Sequence, residues 1–185
     1  MALTKTPVCD FGKKAEDFKL KSIENKIITL NDVKGEKATL IMFICNHCPY
    51  VKAIIRDLAK DCNQLKKNGI NSVAIMSIDT KNYPEDSFDN MIKFAKANNF
   101  GEINYLFDET QDIAKKYGAV CTPDFFGYNK DLKLQYRGRF RELKDLKPTS
   151  GGDSDLKVAM KMISETQAGP KEQIPSMGCN IKWFN

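Results

Sequence analysis

The feature that most constrains the fold is a change of hydrophobic period on either side of Cys45. Residues 38–44 form a nearly continuous apolar run, whose length favours a β-strand buried on both faces. From Pro49 onward, apolar residues recur at helical spacing until Asn68 and Gly69 close the run. Pro49 suits a first helical turn because its missing N–H is no loss there. The pattern predicts a buried strand that leads directly into a helix.

Strand and helix patterns alternate along the rest of the chain. The predicted elements are strands 17–20 and 26–30, strand 70–78, a helix around 88–95, strand 103–107, a helix through 113–117, strands 124–128 and 132–138, and a helix around 156–163. Asp108 with Gln111 resembles a capping box, and Gly118 ends the helix that follows. Such alternation predicts an α/β fold, with helices on both faces of a sheet and an N-terminal β-hairpin. We expect one domain over residues 1–185, with residues 171–185 as an extended C-terminal arm.

Composition and charge exclude several function classes. A chain of 185 residues can bury a core of its own, and its net charge of +5 comes from 29 basic and 24 acidic residues mixed along the sequence. This mixing argues against a nucleic-acid partner, and the basic stretch 137–147 is diluted by Glu142 and Asp145, which favours a solvated face. The longest apolar run is too short for a membrane span, and the N-terminus lacks the apolar run of a signal peptide. We expect a cytoplasmic protein without a membrane partner.

The six cysteines are expected to be chemically useful rather than structural. A domain of this size does not need disulfide staples, and the cytosol keeps thiols reduced. Cys62 lies on the apolar face of its predicted helix and should pack in the core, and Cys9 should have no role.

Cys45 and Cys48 stand two residues apart between a predicted strand and a predicted helix. Unpaired N–H groups at a helix N-terminus favour a thiolate over a thiol. A thiolate is the nucleophile of disulfide exchange, and a second cysteine nearby can close a disulfide that expels the partner. His47, the only histidine, would lower a thiol pKa further in its charged form. We expect Cys45 to be the more exposed and more acidic of the two thiols.

Several runs, in order, resemble one group of known proteins. They are FICNHCPYVKA, NYPEDS, YLFDETQDIAKKYGA, CTPDFF, YRGR and GCNIKW. Together with the Cys-x-x-Cys at the strand-to-helix junction, they resemble the thioredoxin-like superfamily, and within it the redoxin (AhpC/TSA, peroxiredoxin-like) branch that carries a thioredoxin-type cysteine pair. The resemblance covers nearly the whole chain. It implies a thioredoxin-like fold with a central mixed β-sheet flanked by helices.

The resemblance also implies roles for individual residues. Set against thioredoxins, Cys45 matches the attacking cysteine, Cys48 the resolving cysteine, and Pro123 a cis-proline that faces the pair. Thr122 would then offer its N–H and C=O to a substrate peptide. Set against peroxiredoxins, Cys48 falls at the peroxide-attacking position, while the expected threonine is Cys45 and the expected arginine is Thr122. Slow peroxide turnover is therefore predicted.

The sequence leaves other parts of the site open. Asn46, His47, Pro49, Cys121, Thr122 and Pro123 are expected to line it, with Cys121 either resolving a disulfide or only lining the pocket. Cys179 is either a tail residue without a role or a third thiol that the arm delivers. The resemblance places a buried carboxylate six residues before the first cysteine, where this chain has Thr39, so Asp79, Glu36 or a water could serve instead.

Three function hypotheses follow. The leading hypothesis is a thiol-disulfide oxidoreductase with a Cys45/Cys48 couple, no cofactor and no metal, which acts on a protein or small-molecule disulfide and is reset by a thiol reductant system. The alternative enzyme is a thiol peroxidase with Cys48 as the peroxide-attacking thiol. A different class is a soft-metal module, in which Cys45, Cys48 and either His47 or Cys179 hold an ion such as Cu(I).

Overall fold

The computed structural model describes residues 2–184. Its strands are β1 (Leu3–Lys5), β2 (Lys19–Ser22), β3 (Ile27–Thr29), β4 (Ala38–Phe43), β5 (Ile70–Met76), β6 (Asn104–Phe107), β7 (Cys121–Thr122), β8 (Asp124–Asn129), β9 (Leu134–Tyr136), β10 (Leu143–Lys144), β11 (Lys147–Pro148) and β12 (Met177–Asn180). Its helices are α1 (Leu30–Val33), α2 (Pro49–Lys66), α3 (Phe88–Ala97), α4 (Asp112–Tyr117) and α5 (Asp155–Thr166), with a 3-10 turn at Pro84–Asp86.

A mixed seven-stranded sheet forms the centre of the molecule, in the order β3-β2-β6-β5-β4-β8-β9. The middle strand β4 pairs in parallel with β5 and antiparallel with β8, and all six of its residues are buried. Helix α2 packs against β5 and against α5, which in turn covers β4 and β8. Each fully buried large apolar side chain contributes about 1.5–3 kcal/mol. The predicted α/β class, the buried central strand and the N-terminal hairpin of β2 and β3 are confirmed.

The C-terminal arm is more ordered than its sequence indicates. Residues 177–180 form β12, which pairs antiparallel with β1 on one side and with β7 on the other. Gly178 allows the close approach to β7, since a Cβ atom there would lie 2.0 Å from the carbonyl oxygen of Thr122. The pairing register sets Cys179 opposite Thr122. The arm thus lies across the edge of the predicted site.

The predicted capping box before α4 forms only in part: the Asp108 carboxylate accepts from the N–H groups of Ile113 and Ala114, but Gln111 does not take part. Gln111 precedes α4 with a left-handed backbone (φ 64°), and its side chain does not cap the helix. Its Nε2 instead donates to the carbonyl oxygens of Ser77 and Lys182, and its Oε1 accepts from the N–H of Phe184. The side chain that the sequence pattern assigns to a helix start thus holds the C-terminal arm.

The basic stretch 137–147 is only partly a solvated face. Arg137 is buried and pairs with the buried carboxylate of Asp124 at 2.9 Å, so this cation serves the fold. In the part of the chain that the structure describes, no helix is both long enough and apolar enough to cross a membrane.

Candidate active site

The two motif cysteines lie at different places relative to helix α2. Strand β4 ends at Phe43, and the segment that follows carries Cys45 before the helix begins at Pro49. Cys48 is the residue that caps the N-terminus of α2, with Pro49 in its first turn. The unpaired N–H groups of a helix reach only its first turn, so Cys48 receives their field more directly than Cys45 does.

Cys48 is surrounded by groups that favour its thiolate. The Cys45 thiol donates a hydrogen bond to it, which is the largest influence, and the Cys179 thiol and the N–H groups of Val51 and Cys179 act in the same direction. Burial opposes them, as does the carbonyl oxygen of Thr122, which lies 3.2 Å from the sulfur and favours the protonated form. The donors prevail and lower the pKa of Cys48 to about 5. Cys48 is therefore the thiol best suited to be ionised at neutral pH.

The pKa of Cys45 is shifted in the opposite direction. Its hydrogen bond to Cys48, its burial and the nearby Asp86 carboxylate all raise its pKa well above the ordinary value. Its sulfur lies 3.3 Å from the Thr122 hydroxyl, and its side chain has no solvent exposure. The expectation that Cys45 is the more exposed and more acidic thiol is therefore wrong. The physical reason is that α2 starts at Pro49, four residues beyond Cys45, so that Cys48 and not Cys45 caps the helix.

Asp86 is the buried carboxylate of the site, and sequence reasoning did not single it out. It is fully buried, and its Oδ1 accepts hydrogen bonds from the N–H groups of Asn46 (2.6 Å) and His47 (3.2 Å). Neither proposed substitute takes this place, because Glu36 is exposed and Asp79 bonds to Asn82 and Lys81. The one available signal was the run NYPEDS, which contains Asp86.

His47 forms its hydrogen bond with Asp86 rather than with a cysteine sulfur. Its Nδ1 forms a short hydrogen bond with Asp86 Oδ2, and its ring stacks on Tyr83 with centroids 5.5 Å apart. The hydrogen bond to Asp86 raises the pKa of His47. The other ring nitrogen, Nε2, is buried and has no partner among residues 2–184. Because its charge faces a carboxylate, His47 contributes less to thiolate stability than its place in the motif suggests.

Asn46 connects the motif to the core. It is buried, its Oδ1 accepts from the Tyr105 hydroxyl at 2.9 Å, and its Nδ2 donates to the carbonyl oxygen of Glu85. Together with Asp86, these bonds fix the backbone between the two cysteines.

The Thr122–Pro123 peptide bond is cis, as predicted, and Thr122 contacts both cysteines. Its hydroxyl lies beside Cys45 and its carbonyl oxygen beside Cys48. The expected free backbone edge is occupied, however, because Thr122 pairs with Cys179 of β12. The arm of the same chain therefore takes the place that we expected for a substrate peptide.

The remaining thiols differ in their distance from the motif. Cys179 is buried, and its Sγ lies 2.9 Å from the Sγ of Cys48. Cys121 is buried beside Thr122, but its thiol points to the carbonyl oxygen of Pro123 at 3.6 Å. Cys62 lies in the core, where burial raises its pKa to about 12, and burial raises the pKa of Cys9 to about 11.

Three side chains could hold a metal ion. Cys45, His47 and Asp86 each offer one donor atom, and these atoms lie within 4.8 Å of one another. Binding would require Cys45 to lose its proton, and His47 would offer either Nε2, which has no partner among residues 2–184, or Nδ1 after its hydrogen bond to Asp86 opens. Cys48 and Cys179 could add two soft ligands.

An open cavity of about 400 Å³ lies beside the motif. It shares Pro123 with the cysteine site, and Tyr50 and Ile54 of α2 and Met177 of β12 also line it. Neither motif cysteine is part of its lining. Cys45 and Cys48 have no solvent exposure, and Cys179 is 4% exposed.

Comparison with known proteins gives a family and similar solved structures. The model of the AhpC/TSA family matches residues 11–137. An uncharacterized conserved protein from Geobacillus kaustophilus is 40% identical, with a TM-score of 0.89 over 100% of this chain and 97% of that chain. A hypothetical protein from Sinorhizobium meliloti 1021 is 36% identical, with a TM-score of 0.90 over 98% of each chain. No curated protein gives a significant match.

A more distant structure identifies the fold. The thioredoxin domain of a thiol-disulfide oxidoreductase from Bacteroides vulgatus is 18% identical, with a TM-score of 0.58 over 69% of this chain and 86% of that chain. At this identity the likeness concerns the fold alone, which is thioredoxin-like with a mixed central sheet and flanking helices. Because the family model spans more than half of the sequence, this chain belongs to the AhpC/TSA family, in the redoxin branch of the thioredoxin-like proteins.

Proposed function

We propose that this protein is a thiol-disulfide oxidoreductase in which Cys48 is the attacking thiolate and Cys45 completes the redox couple. The observation that carries the proposal is the contrast between the two thiols. The pKa of Cys48 is lowered to about 5, whereas the pKa of Cys45 is raised. The Cys45 sulfur lies 3.3 Å from the Thr122 hydroxyl and the Cys48 sulfur lies 3.2 Å from the Thr122 carbonyl oxygen, so the two thiols meet at one residue and can act on one substrate sulfur in succession.

The reaction has two steps. The Cys48 thiolate attacks one sulfur of a substrate disulfide, which forms a mixed disulfide and expels the other half as a thiolate. Cys45 then loses its proton, attacks the Cys48 sulfur and expels the second half. The substrate disulfide is reduced to one thiolate and one thiol, which carries the proton of Cys45, and Cys45 and Cys48 are oxidised to one disulfide. A thiol reductant of the cytoplasm reverses the change in the protein.

Thr122 and the segment around Asp86 hold the sulfur atoms for this exchange. The Thr122 hydroxyl contacts Cys45, and its carbonyl oxygen contacts Cys48, so one residue orients both thiols. Asp86 fixes the backbone between them through Asn46 and His47. A preorganised pair of this kind lowers the entropic cost of the second step.

A thiol peroxidase is the second candidate, and the lowered pKa of Cys48 favours it. In that reaction the Cys48 thiolate attacks a peroxide oxygen, the O–O bond breaks, and Cys48 becomes a sulfenic acid while water or an alcohol leaves. A resolving thiol then condenses with the sulfenic acid and releases water. The guanidinium of Arg137 is not available to the leaving oxygen, since it is bound to Asp124 and to the Gly118 carbonyl oxygen.

The release of a coloured thiolate from an aromatic disulfide tests the assignment of Cys48. The reduced Cys45→Ser variant should release one equivalent of coloured thiolate in a rapid first phase at neutral pH. In Cys48→Ser this first release should be slower by roughly a thousandfold or more. A rapid phase in Cys48→Ser that is absent in Cys45→Ser would reverse the roles. If neither variant releases the coloured thiolate, the proposed function is contradicted.

The state of the protein as purified distinguishes a redox enzyme from a soft-metal module. Protein purified without reductant should show the loss of two thiols and no bound metal. Stoichiometric copper or zinc with all thiols reduced would instead support the metal hypothesis.

A further inference from the structure

A third thiol lies in contact with the attacking thiol. The Sγ of Cys179 is 2.9 Å from the Sγ of Cys48, although the two residues are 131 positions apart in sequence. Cys179 is 4% exposed to solvent. Its burial and the neighbouring Cys48 sulfur together raise its pKa to about 12. It is therefore a thiol that contacts Cys48 and is shielded from bulk solvent.

Several independent features of the arm place Cys179 there. Strand β12 pairs with β1 and β7, and Gln111 holds the residues that follow it at Lys182 and Phe184. Gly178 permits the approach to Thr122, where any larger residue would collide with the carbonyl oxygen. The hydroxyl of Ser176 donates to the carbonyl oxygen of Pro123 at 2.8 Å. These contacts fix the arm before and after Cys179, so the sulfur contact is part of a built strand pair.

We propose that Cys179 is a third redox-active thiol, which resolves adducts on Cys48 by forming a Cys48–Cys179 disulfide. This inference rests on the proposed attack by Cys48. After Cys48 has formed a mixed disulfide with a substrate, Cys179 loses its proton to the departing product and attacks the Cys48 sulfur. The bond between Cys48 and the substrate breaks, and the substrate leaves as a thiolate that takes up the proton.

The arrangement also connects two disulfides. Cys45 can attack the Cys48 sulfur of the Cys48–Cys179 disulfide, which forms Cys45–Cys48 and returns Cys179 to the thiol form. This exchange needs no external oxidant, because one disulfide is made for each one broken. Cys48 is the shared member, since both neighbouring thiols contact it. Oxidation can thus pass from the arm to the motif.

The Cys45→Ser variant isolates the proposed step. When it reacts with the aromatic disulfide, we expect two equivalents of released thiolate and a Cys48–Cys179 disulfide in a peptide map. The Cys45→Ser/Cys179→Ser variant should release one equivalent and retain the aromatic group on Cys48. The amount of trapped adduct should be at least about tenfold higher in the double variant, because a thiol held in contact acts at a high effective concentration.

Two further variants serve as controls. Cys45→Ser/Cys121→Ser keeps Cys179 and should still release two equivalents. Gly178→Ala keeps every thiol but pushes β12 away from Thr122, so in the Cys45→Ser background it should increase the trapped adduct if circular dichroism shows a folded protein.

The outcomes separate the inference from the function on which it rests. If Cys45→Ser releases one equivalent and keeps the adduct on Cys48 as long as the double variant does, the role of Cys179 is overturned and the attack by Cys48 stands. If Cys48 does not react in either variant, the proposed function itself is overturned.

Discussion

Cys45 and Cys48 have the same burial but opposite chemistry. Both side chains have no solvent exposure, and both contact Thr122. Cys48 caps helix α2 and receives hydrogen bonds, whereas Cys45 donates one and lies near the Asp86 carboxylate. Burial raises the pKa of a thiol wherever it occurs. The difference shows that the placement of donors, rather than exposure, decides which cysteine of this motif is ionised.

The largest expected effect is on the ionisation of Cys48. The ultraviolet absorbance of the reduced protein should show one thiolate that titrates well below the free value of about 8.5, near the lowered pKa of about 5. This gap corresponds to about a thousandfold in ionisation. The pKa values of the other thiols are all raised; these thiols are Cys9, Cys45, Cys62, Cys121 and Cys179.

Variants of Cys45 sharpen this first measurement. Cys48→Ser should lose the low step entirely. Cys45→Ser keeps a hydroxyl donor to Cys48, whereas Cys45→Ala removes it, so the midpoint should be higher in the alanine variant. A low step that survives in Cys48→Ser would show that another thiol is the acidic one.

The next effect is the preference of Cys48 for disulfides over peroxide. The guanidinium of Arg137 is bound to Asp124, and a thiol stands at position 45 where the resemblance expects threonine. A missing oriented donor costs about a hundredfold in comparable reactions. With equal concentrations of hydrogen peroxide and an aromatic disulfide, we expect the protein to consume the disulfide faster than the peroxide by about that factor. Comparable rates of consumption would support the peroxidase instead.

The central sheet was predictable from sequence because its signals are local. The apolar run of β4, the helical spacing of α2 and the family runs all lie within short windows. The position of Cys48 at the helix start was within reach too, since Pro49 marks the first turn and therefore places Cys45 outside the helix.

The arm and Asp86 were not predictable in the same way. Strand β12 has no hydrophobic alternation of its own, and only its pairing with Thr122 brings Cys179 to Cys48. Asp86 lies 41 positions after Cys45 in a polar loop, where an acidic residue is usually a surface residue. Both contacts depend on tertiary packing, and no local pattern in the sequence encodes them.

An intermediate effect is expected from Asp86→Asn, which acts on the Cys45 side of the site. The loss of the carboxylate should lower the pKa of Cys45 and of His47, because Asp86 raises both. It should also cost about 1–3 kcal/mol of unfolding free energy, since Asp86 is a fully buried acceptor. Denaturant unfolding measures the loss, and the single histidine signal in a proton NMR titration reports the pKa of His47.

The pH dependence of this loss has a definite sign. The folded-state pKa of His47 is raised, so its contribution to stability is complete below the unfolded value of about 6.5 and is lost as pH rises through the folded value. The difference between wild type and Asp86→Asn should therefore shrink across that range. In a His47→Gln background the difference should no longer depend on pH there. A pH-independent difference in the wild-type background would contradict the pairing.

The smallest effect is expected from Cys121→Ser. Cys121 precedes Thr122 in β7 and pairs with Asn180, while Thr122 pairs with Cys179. Side chains alternate along a strand, so the Cys121 thiol lies on the face opposite the Thr122 hydroxyl that contacts Cys45. Its one hydrogen bond goes to the Pro123 carbonyl oxygen, and a serine hydroxyl can make the same bond. We therefore expect the rate of disulfide exchange to stay within about twofold of wild type, or about 0.4 kcal/mol.

The comparison with Cys179→Ser gives this small effect its meaning. Both cysteines are buried in the same small sheet, and both belong to strands that carry a residue in contact with Cys48. If position in that sheet were enough, the two serine variants should behave alike in a Cys45→Ser background. If contact with the Cys48 sulfur is required, only Cys179→Ser should trap the substrate adduct. A Cys48–Cys121 disulfide in the peptide map would show that β7 moves enough during exchange to bring Cys121 to the motif.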